Sequence, residues 1–181
     1  TGKIKVANTK KEGDIFRSFN ILKETLIDSN ISGDIKEKFI IKDQSTVMIN
    51  TDFDCKYILN REELYHFLQQ TYGYICSYEP CIYPGVKIQY FMNKNNRDLP
   101  LEEQGRCMCE PSCNGKGDGF TTSSCKKITI SIFQSGCILI TGVTLIDHIK
   151  VGYEYISQII KENEQAIKRN KLIIEEPTPL E

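Results

Sequence analysis

The sequence predicts an α+β fold, an antiparallel sheet with helices packed on one of its faces. Two observations predict it. The first is the stretch Lys127 to Gly142, which reads KITISIFQSGCILITG. Ile128, Ile130 and Ile132 alternate with Thr129, Ser131 and Phe133, the period of two expected of a strand with one buried face. Gln134-Ser135-Gly136 supplies a three-residue hairpin loop in which Gly136 is free to take positive φ. The return strand puts Ile138 and Ile140 on the face of the three isoleucines and Cys137, Leu139 and Thr141 on the other. That second face is small, half-apolar and bears one protruding Phe, so it suits something flat and partly apolar. The second observation is that three other segments carry apolar residues at helical spacing, each able to cover a sheet face.

In chain order, Gly2 to Ala7 is strand-like. Asp14 caps a helix to Asp28, striped by Ile15, Phe19, Leu22 and Leu26, and Asn30 to Gly33 break it. Lys38 to Thr51 is β-prone. Asn60 with Glu63 three residues later starts a helix to Gln70 that buries Leu64, Phe67 and Leu68. Tyr74 to Cys76 is a short strand, followed by turns at Ser77-Tyr78-Glu79-Pro80 and at Tyr83-Pro84-Gly85. Val86 to Met92 is another strand. Asn93 to Lys126 is a polar, Gly- and Cys-rich excursion of the kind inserted at a hairpin tip. After the hairpin, a last helix runs from Ile146 to Arg169, striped by Ile149, Tyr153, Ile156, Ile160 and Ile167. The acidic, proline-containing end, 171–181, reads as a loose tail.

The composition is that of a globular protein: 40% hydrophobic and 26% charged, which excludes disordered and fibrous classes. No apolar run approaches a membrane span and no signal-peptide pattern opens the chain, which starts on Thr1 as a fragment would. A net charge of −1 excludes a strongly basic field, so any contact with nucleic acid must come from local patches. Four of the eight cysteines crowd into one loop, which argues for an intracellular, reduced protein over a disulfide-bonded secreted one.

An internal echo organises the chain. Gly2-Lys3-Ile4-Lys5-Val6 followed by a helix parallels Gly136-Cys137-Ile138-Leu139-Ile140 followed by a helix. This divides the chain into the last strand and helix of a partial repeat, 1–38, and a complete repeat, 39–170, with the insertion 94–126 inside it. The segment Ser77-Tyr78-Glu79-Pro80-Cys81-Ile82-Tyr83-Pro84-Gly85, and Ile132-Phe133-Gln134-Ser135-Gly136 through Thr141-Gly142, carry a specific resemblance. They resemble the SYEPELFPG stirrup and the IF-x-SGK…TG hairpin of the TATA-box-binding protein family. Residues 40–165 look like that family's second repeat and residues 2–28 like the end of its first. The Cys-rich insertion and the Ile/Lys/Asn-rich composition resemble the divergent forms carried by large nucleocytoplasmic DNA viruses.

The resemblance implies a strongly curved sheet, a saddle, with the helices 14–28, 61–70 and 146–169 on its convex side and its concave side on the minor groove of AT-rich promoter DNA. It implies a transcription initiation factor that bends DNA in a nucleus or a cytoplasmic viral factory, beside a factor-IIB-type partner and the RNA polymerase machinery. Phe133 matches one wedge that kinks the duplex, and Tyr83 matches another, where the family usually has Phe. Thr141 matches a base-contacting Thr, Leu139 an apolar groove-floor residue, Lys3 a hairpin Lys and Glu79 an acidic partner-binding position. Asn50 lies near the place of a base-contacting Asn. The departures are Cys137 for a phosphate-binding Lys, Gln89 for an Arg and Ala7 for the partial repeat's Thr. A truncated first repeat would leave a sheet edge open to a second copy.

Cys107, Cys109, Cys113 and Cys125 form C-x-C-x₃-C-x₁₁-C, short spacings with a distant fourth thiol that can close a tetrahedral Zn²⁺ site. The alternative is a plain insertion with free thiols. Cys55 and Cys76 read as small packing residues, and His66 and His148 as surface or boundary residues rather than ligands. No Ser/His/Asp set, P-loop or His-rich metal motif is present, and no spacing selects a Cys–His nucleophile pair, so the expected class is not an enzyme. The rival to DNA binding is an interaction module of the same fold that has lost strong DNA affinity.

Overall fold

The computed structural model describes residues 3–29, 43–121 and 124–169. The chain divides into two compact units, Thr1–Ser45 and Thr46–Glu181. In the first, α1 (Glu12–Asp28) forms as its apolar spacing requires, with Ile15, Phe19, Leu22 and Leu26 half-buried. Asp14 is not its cap. It sits in the first turn and its carboxylate accepts the N–H groups of Lys10 and Lys11 at 3.1 and 3.0 Å, a reach-back that satisfies donors ahead of the helix. The strand expected at 2–7 does not form over residues 3–7: they find no ladder partner among the described residues, and Ile4 and Val6 stay exposed. Gly2, the break at 30–33, the stretch 38–42 and the tail 171–181 lie outside the described residues.

The second unit is α+β. Its strands are β1 (Ile49–Asp54), β2 (Cys76–Glu79), β3 (Tyr83–Met92), β4 (Lys126–Ile132) and β5 (Cys137–Val143). They form one open antiparallel sheet in the order β1-β5-β4-β3-β2. Ile128, Ile130, Ile132, Ile138 and Ile140 are fully buried on one face, with Val86, Ile88, Tyr90 and Met92 of β3 in phase with them. The helices α2 (Arg61–Gln70) and α3 (Ile146–Glu162) cover that face, since Leu64, Leu68, Val151, Tyr155, Ile156 and Ile159 join the same core cluster. Asn60 caps α2 by accepting Glu63 N–H. Among the described residues no helix is long and apolar enough to cross a membrane.

Four expectations are corrected. The last helix breaks at Asn163, whose amide turns back to Ile159 O at 2.8 Å, and a short α4 (Glu164–Ile167) follows. The break returns the chain beside the entry to α2, where Asn60 N–H donates to Ile167 O and Arg169 N–H to Ile58 O. The two turns read around Ser77 and Tyr83 are one, at Pro80 to Ile82. Ser77 to Glu79 end β2, and Tyr83, Pro84 and Gly85 open β3, where Pro is tolerated at a strand start. β1 begins later than the β-prone stretch suggested, and it runs on to Asp54. Tyr153, read as a core residue, is 48% exposed at the flank of the sheet.

At the β4–β5 turn Gly136 has φ 92°, and a Cβ there would lie 2.5 Å from Tyr57 O. Gly136→Ala is therefore expected to destabilise the protein by more than about 1 kcal/mol, read from urea denaturation. A neutral result would mean that the turn re-forms away from residues 55–59.

Candidate nucleic-acid interface and metal centre

The isoleucine phase dictates what the opposite face shows. Ser77, Lys87, Ser131, Leu139 and Asp52 are paired in one row across all five strands. Gln89, Thr129 and Thr141 form the next row. Asn50 ends that row: Ile49 pairs with Val143 and Thr51 with Ile140, so Asn50 opposes both Thr141 and Gly142 in a bulge, with Gly142 at φ 83°. Asn50 and Thr141, separated in sequence, are thus neighbours. Leu139 and Thr141 are half-buried and Asn50 is exposed.

The hairpin end of this face carries the aromatic pair. The Tyr83 and Phe133 rings lie 5.7 Å apart, inclined at 58°. Both close over Gly85: a Cβ there would meet Tyr83 Cε1 at 2.9 Å and Phe133 Cε1 at 3.1 Å. Lys87 Nζ stands 3.7 Å from the Tyr83 ring centroid, a cation–π contact. Glu79 is exposed and pairs with Tyr83 across the β2–β3 turn, where Ile82 is 80% exposed. Lys3 is exposed in the first unit.

Sequence reasoning missed three residues of this face. Lys87 follows from alternation along β3 once Gly85 belongs to the strand. Asp52 and Asp54 follow once β1 extends to residue 54. They make the β1 rim acidic, opposing the cations Lys87 and Lys127.

The insertion does not project from the sheet as the sequence suggested. It folds back onto the sheet end: Lys127 N–H donates to Gly115 O, Phe91 N–H to Gly105 O and Lys94 N–H to Gly119 O, each at 2.8 Å. Phe91, on the open face, is buried beneath it, as is Tyr74, whose hydroxyl donates to Leu101 O at 2.9 Å. His148, read as a boundary residue, is 1% exposed. Its Nε2 lies 2.7 Å from Asp118 O, and Phe120 stacks on its ring at 5.0 Å. Both partners come from the insertion, which is why helix position alone did not betray its burial.

This folding brings Cys107, Cys109, Cys113 and Cys125 together, with all four Sγ atoms within 4.8 Å of one another. Cys107 and Cys113 Sγ are 3.5 Å apart, and Cys109 and Cys125 Sγ 3.6 Å. A tetrahedron built on Zn–S bonds of about 2.3 Å has edges of about 3.8 Å, so the spacing fits a metal ion. The N–H groups of Cys125 and Gly115 pull the Cys113 thiol down to about 6, toward the thiolate that binds metal. Cys113 N–H points at Cys107 Sγ, and the Asn93 amide at Cys125 Sγ. Burial pushes the Cys125 thiol up, the direction that a metal's charge would reverse. Gly115, at φ 70°, is required here: a Cβ would strike Lys127 Cβ at 2.5 Å. Cys55 and Cys76 pack, half-buried, against the core, and His66 is exposed.

Compared with known proteins, the chain matches no protein-family model and no curated protein.

Phe133 and its neighbour Ile132 test the two faces. Ile132 is fully buried, so Ile132→Ala should cost about 2–5 kcal/mol. Phe133 is half-buried on the opposite face, so Phe133→Ala should cost clearly less than Ile132→Ala in the same urea titration. Equal losses would make Phe133 a core residue.

Proposed function

We propose that the open face of the sheet docks in the minor groove of AT-rich duplex DNA and bends it, as in a transcription initiation factor resembling the TATA-box-binding protein family, with the sheet as its saddle. The observation that supports this most directly is the Tyr83–Phe133 ring pair at 5.7 Å, on the sheet face opposite the one that α2 and α3 cover. The pair is half-buried and leaves part of two rings to the solvent on this face, apolar surface that a partner could cover, and base steps are flat and apolar. Wedging unstacks a step at roughly a few kcal/mol and is repaid by the wider contact a bent duplex makes. Thr141, Asn50, Thr129 and Gln89 offer short polar groups suited to the few acceptors that A·T pairs show in that groove. Leu139 rests on its floor. Lys87, beside the wedge, reaches toward phosphate. Glu79 and Ile82 form the protruding turn that meets a factor-IIB-type protein and, through it, the polymerase.

The test is a doubly end-labelled AT-rich duplex. Binding should raise energy transfer between the labels, and Phe133→Ala should abolish that rise while the fold persists. Tyr83→Phe should be tolerated, because it removes a hydroxyl that would otherwise need a partner between bases. With so few cations on the face, log K against log salt should have a slope of only about −2 to −3.

The acidic rim of Asp52 and Asp54 favours a second reading, an interaction module that presents the same face and turn to proteins. A parent protein that never bends the duplex, with a salt slope near zero, would select it.

The four thiols are proposed to hold one structural Zn²⁺, with Cys107, Cys109, Cys113 and Cys125 as the closed ligand set. Protein prepared without chelator should contain close to one zinc per chain. Chelation should free four thiols and loosen the cover over Phe91. Zinc-free protein with these thiols fully reactive would leave a plain insertion.

A further inference from the structure

The four thiols of the insertion offer a chemistry that metal binding does not use. Cys107 and Cys113 Sγ lie 3.5 Å apart and Cys109 and Cys125 Sγ 3.6 Å, two close pairs that share no atom. Joining a pair as a disulfide needs about 2.0 Å, a closure of about 1.5 Å shared between two side chains. A Cys107–Cys109 bridge would instead close a ring over a single residue and strain that geometry. Access is uneven. Cys109 lines an open groove of about 610 Å³ with Asn95, Leu99, Glu110 and Pro111, and Met108 beside it is 62% exposed. Cys125 is fully buried.

We infer that the cluster is an oxidation site as well as a metal site: a peroxide closes the Cys107–Cys113 and Cys109–Cys125 bridges, and these take over from the metal in seating the insertion. The inference rests on the thiol cluster of the proposed metal centre, and its step needs only thiols and peroxide. The Cys109 sulfur attacks one peroxide oxygen; an S–O bond forms, the O–O bond breaks and water leaves. The Cys125 sulfur then displaces the hydroxyl of that sulfenic acid as a second water, and the S–S bond forms. Each bridge takes two electrons from its two sulfurs and reduces one peroxide to two waters. The protons come from the thiols, or from solvent where the thiols are ionised. A second peroxide closes Cys107–Cys113 in the same way. A sulfur bound in a disulfide no longer serves as a thiolate ligand, so a bound Zn²⁺ leaves.

The bridges tie the segments on which the seat depends. The cover over Phe91 is fastened to the sheet by Phe91 N–H donating to Gly105 O and Lys127 N–H to Gly115 O. Cys107 and Cys109 follow Gly105 by two and four residues, and Cys113 precedes Gly115 by two. Cys125 lies directly ahead of β4. A Cys109–Cys125 bridge therefore anchors the first segment to the sheet, and a Cys107–Cys113 bridge holds the second segment to the first. Chelation of the metal undoes both ties, whereas oxidation replaces them with covalent ones.

Peptide mapping without reductant, on the full chain treated with hydrogen peroxide, tests the chemistry. Both bridges are expected in the stated pairing, with any bound zinc passing to a chromogenic chelator, and dithiothreitol should reverse them. Hydrogen exchange at the Phe91 and Lys127 amides tests the consequence. With chelator present, the reduced protein should exchange both amides at least about tenfold faster than the oxidised protein. A different pairing, sulfinic acids at these positions in place of bridges, or equally fast exchange in the two forms would overturn the inference. Zinc-free protein would fail the metal proposal alone, because the mapping and the exchange comparison need no metal.

Discussion

The layer of five isoleucines between the central hairpin and α3 is the constraint on which the second unit depends. β4 and β5 can bury that layer in one phase only, because a shift by a single residue would turn all five outward. Helix α3 approaches it closely at Gly152, where a Cβ would already touch Ile128 and Ile140 at 3.6 Å. Once the phase is set, no freedom remains about the other face. Thr129, Ser131 and Phe133, with Leu139 and Thr141, must stand away from the helices. The chemistry available to a partner is therefore a by-product of how the core is packed, and the β3 row of Gly85, Lys87 and Gln89 is held to it by the ladder.

Local, periodic signals were legible in the sequence. The hairpin, its Gly136 turn and the Asn60 cap depend on neighbours within a few residues, and they form where their chemistry places them. The four-cysteine spacing was legible for the same reason. What sequence reasoning missed depends on distant partners. The last helix ends at Asn163 because the chain must return to pair beside Leu59 and Asn60. His148 is buried by residues of the insertion some thirty positions earlier. Residues 3–7 have strand-like spacing, but a strand is made by its ladder rather than by its pattern. Tyr83-Pro84-Gly85 has the composition of a turn and lies in a strand, because the chain has already turned at Pro80 to Ile82, directly before it.

The open face is electrically mixed. Lys87 is occupied by the Tyr83 ring, and Asp52 and Asp54 line the opposite rim. Long-range attraction of a polyanion to this surface is therefore weak. The aromatic pair at one end and the folded-back insertion over Phe91 at the other bound the length of surface that a ligand can use.

The ends of the insertion are one ladder rung apart, since Met92 and Lys126 are paired. The sheet therefore meets the same closing distance however many residues lie between them. Closing a flexible loop costs only about 0.6 kcal/mol more for each doubling of its length. Length is thus nearly a free variable at this position, and lineages can lengthen or shorten the segment without disturbing strand order. What they cannot vary freely is the small set of residues that seat it, the glycine against Lys127 and the ring against His148. Substitution should accordingly be tightly restricted at these anchor points, while gaps and additions accumulate between them.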